Sequence, residues 1–276
     1  MKYILFVLVF IVQIVELKAQ QYWAPIGMFY NKCKILDSAN IKITYKLTYL
    51  KDTTTPNTKY TDDEVLLLGP HISKYFSQQY VEYNKYIKQL HQETLPNAPR
   101  GTLGIEIFKD FKNNTLTVTD LKSVLQNNFE YKEEMPQIAW TMLNERQKIL
   151  SYPCQNAETN FRGRKYEAWF TTEIPINNGP WKFGGLPGLI LKISDTQNHY
   201  IFECTGIENL GKRESINFYE IVYTELKREE YNELIKKFHK NTIPFYKARG
   251  NRVLDMNNGG KEMIFQQLPF NPIERK

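Results

Sequence analysis

The chain has 276 residues, with 36 lysines and arginines against 30 aspartates and glutamates and a formal net charge of +6. This length is enough for one large domain with a sizeable hydrophobic core. The basic residues are mixed with acidic ones, and no nucleic-acid-binding motif accompanies them. The charge therefore indicates a solvated surface and excludes nucleic acid as an expected partner.

The first 19 residues have the pattern of a secretory signal peptide. An early lysine precedes an apolar run over residues 3–15, and a short polar tail ends at Ala19. A membrane anchor is the alternative interpretation, but Gln13 interrupts the run, which is shorter than the ~20 apolar residues that span a bilayer. We therefore expect export, cleavage after Ala19, and a single mature β-rich domain over residues 20–276 without a transmembrane segment.

Alternation of apolar and polar residues predicts β-strands in the first half of the mature chain. Residues 41–50 alternate isoleucine, tyrosine and leucine with lysine and threonine, as in a strand with one buried face. Residues 112–114 and 144–146 are of turn-forming type and each separate two extended segments, so two β-hairpins are predicted. The further strands predicted in this half are 64–69, 73–79, 105–111, 115–121, 138–143 and 147–152.

The second half of the chain continues the same alternation. In the predicted strand over residues 164–175, Tyr166, Ala168 and Phe170 fall on one face. Three more strands are predicted at residues 189–194, 200–207 and 214–226.

Two segments have the helical spacing of apolar residues instead. Tyr80, Tyr83, Ile87 and Leu90 share one face of a predicted helix, and a second helix follows Thr224 as its candidate N-cap. The apolar face of the second helix comprises Tyr231, Leu234, Ile235 and Phe238. The predicted fold is mainly β (α+β), a curved antiparallel sheet or incomplete barrel with two peripheral helices.

Residues 179–193, GPWKFGGLPGLILKI, contain four glycines and two prolines. A phosphate-binding loop is excluded, because the glycines lead into a strand-like segment and no lysine and hydroxyl residue close the turn. A membrane-inserting loop is an alternative that would expose the large apolar residues. The favoured interpretation is a tight bend, in which glycine supplies unusual backbone angles or close backbone approach and Trp181 and Phe183 cover the bend.

The same stretch resembles the signature of the GLPGLI family of exported bacterial proteins. The string GGLPGLI stands at residues 184–190, and the flanking strings YPCQNA, FRGRKYEAWFTTEIPINNGPWKF and FNPIE agree with the resemblance. The resemblance covers nearly the whole mature chain and implies an exported protein of a Gram-negative bacterium, in the periplasm or associated with the outer membrane. It implies no activity. The motif residues are Gly184, Gly185, Leu186, Pro187, Gly188, Leu189 and Ile190.

The strand pattern also resembles, more weakly, the curved half-barrel of outer-membrane lipoprotein carriers. This likeness concerns the fold only and carries no function.

Cysteine and histidine usage assigns no catalytic residue, metal or cofactor. A disulfide between Cys154 and Cys204 is one prediction for an oxidising compartment, and buried reduced thiols, with Cys33 also free, are the alternative. The four histidines lack the spacing of metal ligands, and no serine or cysteine lies in a nucleophile motif. Three acidic residues are candidates for a carboxylate pair across the sheet: Glu167, Glu173 and Asp195.

Arg162, Arg164, Glu173 and Trp181 form the candidate binding site around the strand and turn that precede the glycine-rich bend. In one interpretation the arginines pair with Glu173 and stack on aromatic rings, which pins the turn. In the other, the guanidinium and indole groups face a groove and hold an anionic or lipid-like ligand.

The signal peptide, the strands with one apolar face and the lack of a catalytic motif favour a binding or carrier module for an apolar or anionic ligand. A hydrolase acting on peptide or envelope material is the first alternative. The second is a structural partner of an outer-membrane complex, with the glycine-rich stretch as its contact. The expected partners are accordingly a lipid-like or peptide ligand, or an outer-membrane protein.

Overall fold

The computed structural model describes residues 32–90, 99, 101–121, 125 and 127–276, apart from the side chains of residues 87–90. The predicted signal peptide and its cleavage site lie outside the described residues.

Within this described part, twelve strands form one sheet in the order β12-β6-β5-β4-β3-β2-β1-β11-β10-β9-β8-β7. Neighbouring strands are antiparallel apart from the parallel pair β12 and β6. The sheet is curved and open, so the predicted fold class is confirmed. The strands are β1 (Cys33–Leu50), β2 (Lys59–Leu68), β3 (Ile72–Ser77), β4 (Ile105–Asp110), β5 (Thr115–Asp120), β6 (Phe129–Glu134), β7 (Thr141–Ile149), β8 (Tyr152–Phe161), β9 (Arg164–Thr171), β10 (Leu189–Asp195), β11 (Tyr200–Tyr219) and β12 (Thr224–Glu225).

The remaining elements pack around this sheet or follow it in the chain. They are the helices α1 (Gln78–Leu90), α2 (Arg228–Lys240) and α3 (Ile243–Lys247), and a small hairpin of β13 (Leu254–Asp255) and β14 (Lys261–Glu262) around a 3-10 turn (Met256–Asn258). No helix in the described part of the chain combines the length and the apolar content that crossing a membrane requires.

The sheet buries apolar residues on both faces. The larger core lies on the face of Ile43, Tyr45 and Leu47, and it includes the side chains of the glycine-rich stretch. On the other face, the first part of β1 and the last part of β11 pack on the middle strands through Ala39 and Ile216. Irregular pairing along β1 accompanies this change of face, as expected where bulges bend a strand.

The hairpin predicted around residues 112–114 is confirmed, with Asp110 paired to Thr115 across the turn. The hairpin predicted around residues 144–146 is wrong. These residues lie inside β7, at an irregularity between Met142 and Arg146, and the chain reverses at residues 150–151 instead. An edge strand exposes much of its surface and tolerates bulges, so polar residues inside it resemble a turn.

Three further features of the secondary structure differ from the prediction. The predicted strands 200–207 and 214–226 are one strand in the structure, because β11 runs continuously from residue 200 to 219, and β6 is an additional strand. Thr224 lies in β12, and the N-cap of α2 is Lys227, whose backbone N–H donates to Glu230 Oε2 at 2.9 Å. Both predicted helices are present over the residues proposed for them.

Candidate binding site

The glycine-rich bend needs glycine at particular positions. A Cβ atom on Gly188 would stand 1.9 Å from the backbone oxygen of Thr171, so no other residue fits without moving the chain. Gly185 has a φ of +89°, which side-chain-bearing residues rarely adopt. These contacts give the physical reason for Gly185 and Gly188 and support the interpretation of a structural bend.

A buried lysine of β4 stabilises the bend through hydrogen bonds. Lys109 Nζ donates hydrogen bonds to Asn178 Oδ1 (2.7 Å), Gly179 O (3.1 Å) and Phe183 O (2.6 Å). Burial lowers the pKa of Lys109 to about 7. Because three oxygen atoms converge on one amino group, Lys109 fixes the path of residues 178–183.

Two further side chains fix the ends of this bend. Trp140 Nε1 donates to Gly184 O at 2.8 Å, and Tyr45 Oη donates to Ile190 O at 2.7 Å. The backbone N–H of Gly185 also donates to Asn177 Oδ1.

The apolar side chains of the bend are inside the protein. Trp181 is 5% exposed, Phe183 0%, Leu186 1% and Leu189 0%. Phe183 packs edge-to-face on the ring of Tyr166, with centroids 4.8 Å apart. The membrane-inserting interpretation of this loop is therefore wrong, because its apolar residues form part of the core.

Lys182, the residue after Trp181, belongs to a buried ionic cluster. Lys182 Nζ lies 2.8 Å from Glu133 Oε1, 2.6 Å from Glu274 Oε1 and 2.9 Å from the hydroxyl of Tyr131. Burial opposes the charge of Lys182, but Tyr131, Glu274 and Glu133 together raise its pKa above the ordinary value. Trp181 Nε1 donates to Glu274 Oε1 at 3.2 Å, which ties the indole to the same cluster.

Arginines complete this cluster from two other elements. Arg162 lies 2.7 Å from Glu133 and 3.9 Å from Glu274, and Arg228 of α2 lies 3.3 Å and 3.6 Å from the same two residues. Three cations thus surround two carboxylates, and the cluster joins the sheet, α2 and the C-terminal segment.

Arg164 lies outside this ionic cluster and binds other residues. Its side chain is 1% exposed and lies 2.9 Å from Asp195 Oδ2. It also donates to Asn271 Oδ1 (2.6 Å), to Pro272 O (2.6 Å) and to Ile273 O (3.1 Å). The guanidinium therefore anchors residues 271–273 to the sheet.

The structure brings three of the four predicted site residues to this region and leaves one apart. Arg164 and Trp181 donate hydrogen bonds to the C-terminal segment, and Arg162 lies 3.9 Å from Glu274 of the same segment. Glu173 is exposed beyond the end of β9 and does not pair with either arginine. The arginines do pin chain segments, but their carboxylate partners are Glu133, Glu274 and Asp195.

The three candidate carboxylates do not meet. Glu167 accepts from Asn156 Nδ2 at 2.9 Å, while Asp195 is buried against Arg164. Glu167 pairs with Ser194 across the sheet, so its side chain and that of the next residue, Asp195, point to opposite faces.

A cavity of about 260 Å³ lies between the larger core face of the sheet, α2 and the C-terminal segment. Its deepest wall consists of Leu47, Phe202, Tyr200, Tyr131 and Trp181, which are at most 6% exposed. The other lining residues are Lys51, Leu103, Ile105, Tyr231, Asn232, Ile235, His239, Pro269, Phe270, Asn271, Pro272, Ile273 and Glu274.

The tyrosines of this cavity contribute rings and not free hydroxyl groups. Tyr131 accepts from Lys182, Tyr200 donates to Asn271 O at 2.6 Å, and Tyr231 donates to Asp120 Oδ2 at 2.8 Å. Because each hydroxyl has a protein partner, the surface offered to a ligand is mainly apolar.

Two carboxyl groups of β2, those of Asp62 and Glu64, are buried on the larger core face of the sheet and were not found from the sequence. They are 0% and 2% exposed. Asp62 accepts from Ser77 Oγ and from the backbone N–H of Leu103, both at 2.7 Å. Burial, and then the charge of Asp62, raise the pKa of Glu64 well above its ordinary value. This shift favours the protonated form of Glu64, which shares a hydrogen bond with Asp62.

The cysteines are free thiols in the structure, with Cys33 exposed and Cys154 and Cys204 buried. Burial raises the pKa of both buried thiols to about 11. The disulfide between them stays a prediction. Among the described residues, no group of three or more histidine, cysteine, aspartate or glutamate side chains is arranged to hold a metal ion.

Comparison with known families gives a match to part of the chain. A model described as a protein of unknown function (Porph_ging) matches residues 158–192, from β8 through β9 and the glycine-rich bend into β10. The match includes the GLPGLI string and brings no activity with it. No curated protein matches the chain.

Comparison with solved structures shows a likeness of fold. Two structures of PNGF-II, in space groups P21 and C2, each have a TM-score of 0.50 and 17% identity, over 74% and 72% of this chain. The chain spans about a third of PNGF-II, since the covered shares are 34% and 33%. An uncharacterized conserved protein from Thermus thermophilus has a TM-score of 0.34 and 8% identity, over 69% of this chain and 91% of that one.

Proposed function

We propose that the protein is an exported binding module that holds a small, mainly apolar ligand in the cavity beside α2. The observation that carries this proposal is the cavity itself, with a buried wall of aromatic and aliphatic side chains and tyrosine hydroxyls already satisfied by protein groups. A surface of this kind favours apolar ligands because it removes apolar area from water, at roughly 25 cal/mol per Å².

The construction of the cavity supports a binding role further. Its outer wall is the C-terminal segment, which Arg164 anchors through backbone carbonyls and Lys182 anchors through Glu274. Charged groups are buried around the cavity, and each described member of the ionic cluster has an oppositely charged neighbour. A preformed wall lowers the entropy cost of binding, because little chain must be ordered when a ligand enters.

Export and family membership belong to the same proposal. Residues 1–19 support secretion, and the string at residues 184–190 supports membership of the GLPGLI family, with the periplasm or outer membrane as the compartment. The matched segment 158–192 covers this string and is consistent with that assignment.

Native mass spectrometry of the mature protein, purified gently from its own host, tests the proposal. A stoichiometric extra mass that disappears on denaturation is the expected result. A bare protein mass, together with no binding of the neutral apolar dye Nile red, would contradict it.

A matched pair of variants on α2 assigns any binding to the cavity. Asn232 lines the cavity, whereas its neighbour Glu233 is exposed. Asn232→Trp is expected to fill the cavity and abolish binding of Nile red, while Glu233→Trp adds the same side chain outside and retains binding. Equal binding by both variants would place the dye elsewhere and refute the cavity as the site.

A further inference from the structure

We propose that the cavity takes an amphipathic anion, an apolar chain with one anionic head group, and that Lys51 binds the head group at the cavity mouth. This inference rests on the proposed function and adds the chemical class of the ligand and its orientation.

Exposure of the lining residues distinguishes the mouth of the cavity from its floor. Leu47 and Phe202 are 0% exposed at the floor, whereas Phe270 is 40% exposed and Lys51 is also exposed. His239 stands beside Phe270, with ring centroids 4.9 Å apart. A ligand whose apolar chain enters the cavity therefore has its other end near Lys51, Phe270 and His239.

Lys51 supplies the positive charge at the mouth of the cavity. The other fully charged residue of the lining, Glu274, is already paired with Lys182 at 2.6 Å. Burial, and to a smaller extent the charge of Lys51, lower the pKa of His239 below its ordinary value of 6.5, against the opposing effect of the hydrogen bond between Nδ1 and Ile235 O at 2.9 Å, so the neutral ring predominates at pH 7. Among the described residues no carboxylate lies within ion-pair distance of Lys51, and the charge of Asp62 acts on it only from farther away, so its ammonium is available to an anion.

The position of Lys51 is defined by aromatic rings. Its Nζ lies 4.4 Å from the ring centroid of Tyr60 and 5.7 Å from that of Tyr49. Cation–π contacts of this kind hold the ammonium at the rim and leave its N–H groups free to donate to an anion.

The energetics favour this orientation over the reverse. An anionic head at the mouth keeps part of its hydration and gains a cation, while the chain buries apolar area against the floor. In the reverse orientation the anionic head group would lie against Leu47 and Phe202, where no partner would offset the cost of removing it from water.

The test compares sodium decanoate with the neutral alcohol 1-decanol by calorimetry on the full mature protein. Wild-type protein is expected to bind decanoate more tightly, and Lys51→Met should weaken decanoate binding about fivefold, the scale of a partly exposed ion pair. Binding of 1-decanol should stay unchanged in this variant. Lys46→Met is the matched control, because Lys46 is an exposed lysine of β1, the strand that leads to Lys51, and lies on the opposite face of the sheet.

The outcomes separate the two proposals. Equal affinity for the acid and the alcohol, or decanoate binding that Lys51→Met does not change, would refute the anionic class while leaving a neutral binding site intact. Failure of both probes to bind would overturn the proposed function, and this inference with it. Weakening of both probes by Lys51→Met would mean that the lysine shapes the cavity and does not recognise charge.

Discussion

Replacing Lys109 by methionine tests whether this lysine determines the path of the glycine-rich bend. The substitution keeps an unbranched side chain of similar length and removes the amino group. Asn178 Oδ1 retains a donor, because the backbone N–H of Gly179 also reaches it at 2.8 Å. The loss therefore falls on the carbonyl oxygens of Gly179 and Phe183, for which no other donor is found among the described residues.

The size of the effect follows from these two carbonyl groups. Each buried acceptor left without a partner costs about 1–3 kcal/mol. Methionine offsets part of this cost, because it spares the desolvation of an ammonium group. We expect Lys109→Met to lower the free energy of unfolding by about 2–4 kcal/mol, which corresponds to roughly 2–4 °C of melting temperature per kcal/mol in a domain of this size.

Urea unfolding followed by circular dichroism measures this change, with Lys192→Met as the matched control. Lys192 is a lysine of β10 whose ion pair with Glu203, at 2.8 Å, is partly exposed. Removing it should cost less than about 1 kcal/mol. If Lys109→Met is no less stable than Lys192→Met, the bend does not depend on the buried amino group and the reasoning is refuted.

Two further predictions concern the other buried titratable groups. Because the pKa of Glu64 is raised in the folded protein, its favourable contribution is complete below the ordinary value of 4.5 and is lost as pH rises. Unfolding curves across pH should therefore show Glu64→Gln gaining stability relative to wild type as pH rises above 4.5, and a pH-independent difference would count against the buried acid. In thiol labelling of the native protein, Cys33 should react at once, while Cys154 and Cys204 react only after unfolding, since both are buried and have pKa values of about 11. Rapid labelling of all three would contradict the structure, and labelling of the buried pair that needs both denaturant and reductant would establish their disulfide.

The sequence predicted those parts of the fold in which local pattern and tertiary environment agree. Period-two alternation identified β1, because its residues 43–48 alternate between buried and more accessible positions. The turn-type residues 112–114 identified the hairpin of β4 and β5, although β4 is buried on both faces. β6 was missed because its second half, KEE, is polar, and its place in the sheet comes from pairing with β5. The residues at 144–146 were misassigned for the converse reason, since an exposed edge strand carries polar residues without forming a turn.

The candidate site was predicted in part. Arg162, Arg164 and Trp181 were recognised because guanidinium and indole groups next to a tight bend are typical of anchoring or binding. The carboxylate partners of Arg162 and Trp181 were not predictable, since Glu133 and Glu274 are 141 positions apart in the chain and meet only in the fold. The cavity was not predictable for the same reason, because its walls combine four strands, the glycine-rich bend, loop residues, one helix and the C-terminal segment.

The structural and functional interpretations of Arg164 are not alternatives. Its donors reach the backbone carbonyls of residues 272 and 273, and the same residues form a wall of the cavity. In the proposed binding role, Arg164 contributes to the cavity by holding a chain segment of its wall in place and does not line the cavity itself. Asp195 balances its charge on the side away from this segment, so the guanidinium is held in the core while its remaining donors are directed to the wall. The contacts of Arg164 that pin residues 271–273 therefore also determine the shape of the cavity.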